Sequence, residues 1–204
     1  NPGTNHARTI AFPGGGPLQQ YLNAHGGQLV NGNCAGSTCP AGTGAYDSVV
    51  LRLQLRVPTN ARGFSYDFKF FSSEYQTYQC TQFNDSYLAL LTSVVPGLPA
   101  DRQISFDSQG NPVSVNSGFF QVCGGNGQNC GPCPFGTAEL TGTGYELANT
   151  GGATRWLTTT APVVGGETMT LDLMLFDVAD GTFDTLVLLD NFRWSLVPVT
   201  VGTQ

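Results

Sequence analysis

The stretch from Met169 to Trp194, MTLDLMLFDVADGTFDTLVLLDNFRW, decides the fold of this chain. Met169, Leu171, Leu173 and Leu175 alternate with Thr170, Asp172 and Met174, the period of two that puts one face of a strand in a core. The turn that follows is Asp177-Val-Ala-Asp-Gly-Thr-Phe-Asp184, and its Asp180-Gly181 pair is a strong hairpin signal. After the turn, Leu186, Val187, Leu188 and Leu189 are apolar at successive positions, which predicts a central strand covered on both faces. The expectation is two long strands joined by a tight acidic turn. That turn holds Asp177, Asp180 and Asp184, with Asp190 further along, and is either a solvated loop or a cation site.

Working outward, the same alternation recurs. Val49, Leu51, Leu53, Leu55 and Val57 form one face of a strand, and Val50, Arg52, Gln54 and Arg56 the other. In the next strand Phe64, Tyr66, Phe68 and Phe70 point one way, and Ser65, Asp67 and Lys69 point the other. Tyr87 to Val95 is a further strand. Ile104–Phe106, Pro112–Val115 and Phe119–Val122 are short candidates, and Thr137–Leu147 and Trp156–Thr160 read as edge strands. Residues 1–27 are weakly patterned, with a short strand at Arg8–Phe12 and one helical turn at Pro17–Ala24; Gln28–Val30 reads as another short strand. Nothing sustains a 3.6-residue apolar period, and no internal repeat or long linker divides the chain. The predicted architecture is all-β: a single antiparallel β-sandwich over residues 1–204, jelly-roll-like, with disulfide-clipped loops and roughly ten to twelve strands.

Composition narrows the function. Of the 204 residues, 40% are hydrophobic and 11% charged, so the low charge reflects a large core rather than disorder. The net charge is −6 and Lys69 is the single lysine, which excludes the basic patch that nucleic acid requires. The 27 glycines and 12 prolines fit many turns between short strands. No segment has the apolar length of a membrane span. The start at Asn1-Pro2, without a leader, reads as a mature, processed protein.

Six cysteines, Cys34, Cys39, Cys80, Cys123, Cys130 and Cys133, lie in Gly- and Asn-rich loops. Their even number favours disulfides and an oxidising compartment. Cys130-Gly-Pro-Cys133 is a CxxC, but no second pair or neighbouring histidine completes a zinc set. A local Cys34–Cys39 clip is expected, and the connectivity of the rest stays open.

Three segments together resemble the bacterial choice-of-anchor L domain family. They are Tyr46-Asp-Ser-Val-Val-Leu with its strand to Val57-Pro58; Phe68-Lys-Phe-Phe-Ser-Ser-Glu-Tyr with Cys80-Thr-Gln-Phe-Asn-Asp-Ser-Tyr; and Gly165-Gly-Glu-Thr with Leu175-Phe-Asp-Val-Ala-Asp-Gly-Thr-Phe-Asp-Thr-Leu-Val-Leu-Leu-Asp-Asn-Phe. The resemblance covers about residues 28–196. It implies an extracellular β-sandwich of a secreted or cell-surface protein, and it implies no reaction. The chain departs from the pattern by ending at Gln204 without a sorting signal or membrane tail.

Calcium is the expected cofactor. It takes six to eight hard oxygens, and Glu74, Asn84, Asp85, Asp177, Asp180 and Asp184 supply them from two loops that a sandwich can bring to one end. The alternative is that Asp180-Gly181 is turn chemistry and the other acids face water. Asp190 shares the register of Leu186, Leu188, Phe192 and Trp194 and is expected to point inward, where a carboxylate needs an ion, backbone amides or an arginine. Asp47 either joins a second ion site or caps its turn.

Catalysis has little support. His6 and His25 sit in the poorly patterned N-terminal segment, with no HExxH or GxSxG. Glu74 and Asp85 are better explained as cation ligands than as a glycosidase pair. Lys69 is expected to face solvent rather than to enter an isopeptide bond. The expected function is therefore a non-enzymatic extracellular structural or adhesive protein, a filament or coat subunit associating with copies of itself by strand addition. Arg8–Phe12 and the tail Leu196-Val-Pro-Val-Thr-Val201 are the candidate donor strands. The alternative is a carbohydrate-binding module that takes a glycan on Tyr75, Tyr78, Tyr87 and Trp156.

Overall fold

The computed structural model describes residues 17–29, 32–34, 37–124, 130–146 and 150–204. The expected features at His6, Arg8–Phe12, Val30 and Leu147 lie outside them. A helix, α1 (Pro17–Ala24), precedes a two-stranded ribbon of β1 (Asn33–Cys34) and β2 (Ser37–Thr38). The strands that follow are β3 (Ala45–Arg56), β4 (Gly63–Gln76), β5 (Ser86–Thr92), β6 (Val113–Ser114), β7 (Phe120–Cys123), β8 (Thr150–Thr154), β9 (Leu157–Pro162), β10 (Thr168–Val178), β11 (Thr185–Ser195) and β12 (Gly202–Thr203).

These strands make two antiparallel sheets. One has four strands in the order β3-β10-β5-β6. The other has six: β12-β9-β4-β8-β7 in order, with β11 on the opposite flank of β4. The unequal sheets fit a β-sandwich; a jelly roll divides its eight strands evenly by two Greek keys. The shared core is the aromatic stripe read from β4, with Phe64, Tyr66, Phe68 and Phe70 buried against Tyr87, Ala89 and Leu91 of β5 and Met169, Leu171 and Leu173 of β10. The Tyr87 hydroxyl donates to that of Tyr66 at 3.0 Å, which satisfies the polar end of one ring inside the core.

The acidic turn does not close a hairpin. β10 pairs with β3 and β5, and β11 pairs with β4, so residues 177–184 carry the chain from one sheet to the other. The left-handed backbone falls on Ala179 (φ 74°), whereas Gly181 is close to the Asp47 carboxylate. β11 is an edge strand, not a central one: Leu186, Leu188 and Leu189 are 38%, 41% and 39% exposed. β3 is the edge of the other sheet and leaves Val49, Val50 and Leu51 exposed.

The outer faces of the sandwich carry extra layers. α1 lays Leu18 and Tyr21, with Leu29, over Leu88 and Leu90 of β5 and Met174, Phe176 and Val178 of β10. On the far side, Leu140 and Tyr145 cover Phe71 of β4, Val122 and Ala153. The segment expected as a strand at Thr137–Leu147 supplies that cover as a 3-10 helix, Ala138–Leu140, and turns with left-handed Gly142 and Gly144. Trp156–Thr160 was expected at an edge, but β9 lies between β12 and β4.

The cysteines form three disulfides: Cys34–Cys130, Cys39–Cys80 and Cys123–Cys133. The expected Cys34–Cys39 clip is replaced by two long-range links that tie the β1-β2 ribbon to separate loops. The C-terminal tail is not a free donor strand. β12 pairs with β9, Val201 packs on the main core, and Val199 lies over Gly63.

Candidate cation site at one end of the sandwich

The inner face of β4 runs Phe64, Tyr66, Phe68, Phe70 and then changes character, because the next two residues of the same parity are Ser72 and Glu74. On the facing sheet β10 does likewise: Met169, Leu171, Leu173 and Leu175 lead to Asp177. Asp85 immediately precedes β5, the neighbour of β10. The apolar core thus ends in a polar patch where Ser72, Glu74, Asp85 and Asp177 meet. All four are buried, with Ser72 and Asp85 fully so.

Few hydrogen bonds satisfy these carboxylates. Ser72 donates through Oγ to Asp85 Oδ2 at 2.6 Å, and Thr185 donates through Oγ1 to Asp177 Oδ1 at 3.0 Å. The Asp85 backbone N–H donates to Glu74 Oε2 at 3.4 Å. Asp85 Oδ1 is buried with no hydrogen-bond partner among the described residues. The other buried side-chain atoms in that condition, Ser73 Oγ and the amide atoms of Gln79, lie in the same segment from β4 to Asp85.

Burial disfavours the charged forms. It pushes Glu74 up to about 7, against hydrogen bonds from Asp85, and the charge of Asp180 adds to the rise. It pushes Asp177 up to about 8, with Glu74, Asp47 and Asp184 reinforcing it. Asp85 is raised well above the usual carboxylate range by burial first and then by Glu74 and Asp177. Among the described residues no lysine or arginine contributes to any of the three. The grouping is looser than a closed coordination shell. Among the described residues only Cys34, Cys39 and Cys80 place three candidate donor atoms within 4.8 Å of one another, and those sulfurs are in disulfides.

The remaining residues expected at the site take different places. Asp180 accepts from the Thr182 N–H at the rim and acts on Glu74 through its charge. Asp184 is half-buried, and its carbonyl accepts from the Ser73 N–H. Asn84 is fully buried, but its Oδ1 accepts from the backbone of Asn116, so it holds two loops together. Asp47 is left-handed (φ 46°) and near enough to raise Asp177. Asp190 does not point inward: it pairs with Asp67 on the outer face of the sheet, is exposed and accepts from the Asn191 N–H, and the bulge that follows it returns Trp194 to the face of Phe64. Asp67, opposite Asp190 on that outer face, is half-buried and accepts from Thr158 Oγ1 and Asn191 Nδ2 at 2.7 Å each.

Lys69, expected in solvent, is 5% exposed and donates to Glu139 at 2.5 Å, with the Phe71 ring 5.3 Å away. Of the proposed glycan-binding aromatics, Tyr75 and Tyr87 are buried in the core, Tyr78 is half-buried against Phe83 and Phe183, and Trp156 alone is exposed.

Two antiparallel sheets and three disulfides define a β-sandwich domain suited to an oxidising setting. The chain belongs to the choice-of-anchor L domain family, whose profile matches residues 24–193. The family is of a non-catalytic surface-domain kind and marks a secreted or surface-associated bacterial protein. No curated protein and no solved structure matches the chain. Among the described residues no helix is long and apolar enough to cross a membrane.

Proposed function

We propose that this domain is a non-enzymatic structural or adhesive module of the bacterial surface that associates by adding a strand from a second copy to its open side. The observation that carries this reading is the pair of long edge strands, β3 and β11, one on each sheet. Between them the sandwich is open, and the cleft is lined by Leu51 and Leu53 of β3, Leu171 and Leu173 of β10, and Leu189 and Phe192 of β11. An unpaired edge offers a row of backbone donors and acceptors, and a long apolar edge is an invitation to pairing. Arg52 and Arg56 on β3 and Arg193 on β11 restrict which strand fits.

The test is light scattering and electron microscopy of the purified chain over a concentration series, beside a Val50→Lys/Leu188→Lys variant. The expected result is concentration-dependent association by the parent chain and a monomeric, folded variant. A parent chain that stays monomeric throughout, or a variant that associates equally well, sinks the reading.

A further inference from the structure

Where the core ends, Glu74, Asp85 and Asp177, from three chain segments, are buried together, with no lysine or arginine among the described residues acting on them. We propose that Glu74, Asp85 and Asp177 form a calcium-binding site at this end of the sandwich, with Asp180, Asp184 and Asp47 at its rim. The inference is independent of edge-strand association and rests on different residues.

Acids in a cluster are common, and the orphaned oxygen distinguishes this one. Asp85 is fully buried, Ser72 occupies its Oδ2, and its Oδ1 has no partner among the described residues. A buried carboxylate oxygen left unpaired costs far more than an exposed one. A cation beside Oδ1 satisfies it and offsets the mutual repulsion of the three acids.

Donor chemistry selects the ion. The site offers carboxylate and hydroxyl oxygens, with no histidine or free thiol among its residues, which favours a hard cation over zinc or copper. Carboxylates drawn from three segments suit Ca²⁺, which accepts irregular shells completed by water, better than Mg²⁺, which demands near-octahedral geometry. The competing account is a carboxylic acid pair in which Glu74 and Asp85 share a proton. It needs no metal and predicts no response to one.

The experiment uses the full chain with its disulfides intact. Thermal unfolding and calorimetric titration are followed in EGTA, in CaCl2 and in MgCl2. Calcium at about 100 times its dissociation constant is expected to raise the melting temperature by roughly 5–10 °C, with a smaller effect of magnesium. Asp85→Asn keeps the side-chain shape and removes one charge. It is expected to weaken calcium binding by about tenfold or more, since affinity follows ligand charge. If Asp85→Asn does not fold, Glu74→Gln and Asp177→Asn carry the same expectation. As a second readout, Tb³⁺ emission sensitised by nearby Tyr145 or Tyr78 is expected and should be displaced by calcium. Identical unfolding curves in EGTA and calcium, or an undiminished calcium response in all three variants, would overturn the site and leave the proton-sharing pair as its explanation.

Discussion

Asp172 and Arg52 face each other across β10 and β3, and one is buried while the other is in water. Arg52 Nε donates to Asp172 Oδ1 at 2.6 Å, and its second nitrogen donates to Oδ2 at 3.3 Å. The aspartate side chain is 2% exposed and the arginine side chain 58%. The fork therefore caps a carboxylate that the core would otherwise leave charged and alone, and it fastens the edge strand β3 to its sheet. Arg52→Ala is expected to lower stability by about 1–3 kcal/mol, because it strands a buried charge. Arg52→Lys should recover only part of that, since an ammonium does not span both oxygens. Urea midpoints of the three proteins check this, and equal midpoints would contradict it.

A second ion pair gives the protein an acid-sensitive contact. Lys69 donates to Glu139, and this hydrogen bond above all holds the Glu139 carboxyl below its usual 4.5. A depressed folded-state value means that the folded protein releases this proton more readily than the unfolded chain. The contribution is therefore fully present above pH 4.5 and is lost as the pH falls through the lowered value. Glu139→Ala should flatten the acid limb of the stability curve there. It should also destabilise more than Lys69→Met, because it leaves a buried ammonium without its partner. Melting temperatures measured from pH 7 downward decide both points.

Gly152 of β8 lies flat against the Tyr75 ring, where a β-carbon would come within 2.5 Å of ring carbon Cδ1. Tyr75 is fully buried and stacks on Phe120, so it has little room to move. Gly152→Ala is expected to destabilise by about 1–3 kcal/mol through overpacking. Gly118→Ala, where nothing lies within 4 Å, serves as the control. Thermal unfolding that ranks the two the other way would refute the packing argument.

The disulfides should differ in their effect on stability. Cys34–Cys130 closes a loop of 96 residues and Cys123–Cys133 one of 10. In the chain-entropy account the longer loop contributes about 2 kcal/mol more. Replacing each pair by alanines and comparing unfolding free energies tests this. Peptide mapping without reductant should recover all three pairs, Cys39–Cys80 included.

The alternating strands were legible in the sequence because one face of each meets the common core. The aromatic stripe of β4 and the apolar stripe of β10 are where alternation put them. Partners were not legible. Asp180-Gly181 looks the same whether the chain turns back into its own sheet or crosses to the other, and only the pairing of β10 with β3 and β5 distinguishes the two. Lys69 lies on the polar face of β4, yet Leu140 and Tyr145 cover that face from a distant segment, so a local pattern could not report its burial. Of the candidate ligands, Glu74, Asp85 and Asp177 meet where the core ends, whereas residue type alone could not show how Asn84 and Asp190 are engaged. Their places depend on a backbone contact at Asn116 and on the pairing of Asp190 with Asp67 across the outer face of the sheet.

The position of β10 also sets a timetable. It lies between β3 and β5, pairing Leu171 with Leu53 on one flank and with Leu91 on the other, although it is made long after both. Until it emerges, the four-stranded sheet has no middle, and β3 and β5 have nothing to pair with across the gap. Such distant pairing is slow to form. A chain that stops short of Thr168 is therefore expected to leave this sheet unformed. Because β10 begins only at Thr168 of 204 residues, the four-stranded sheet can close only when most of the chain has been made.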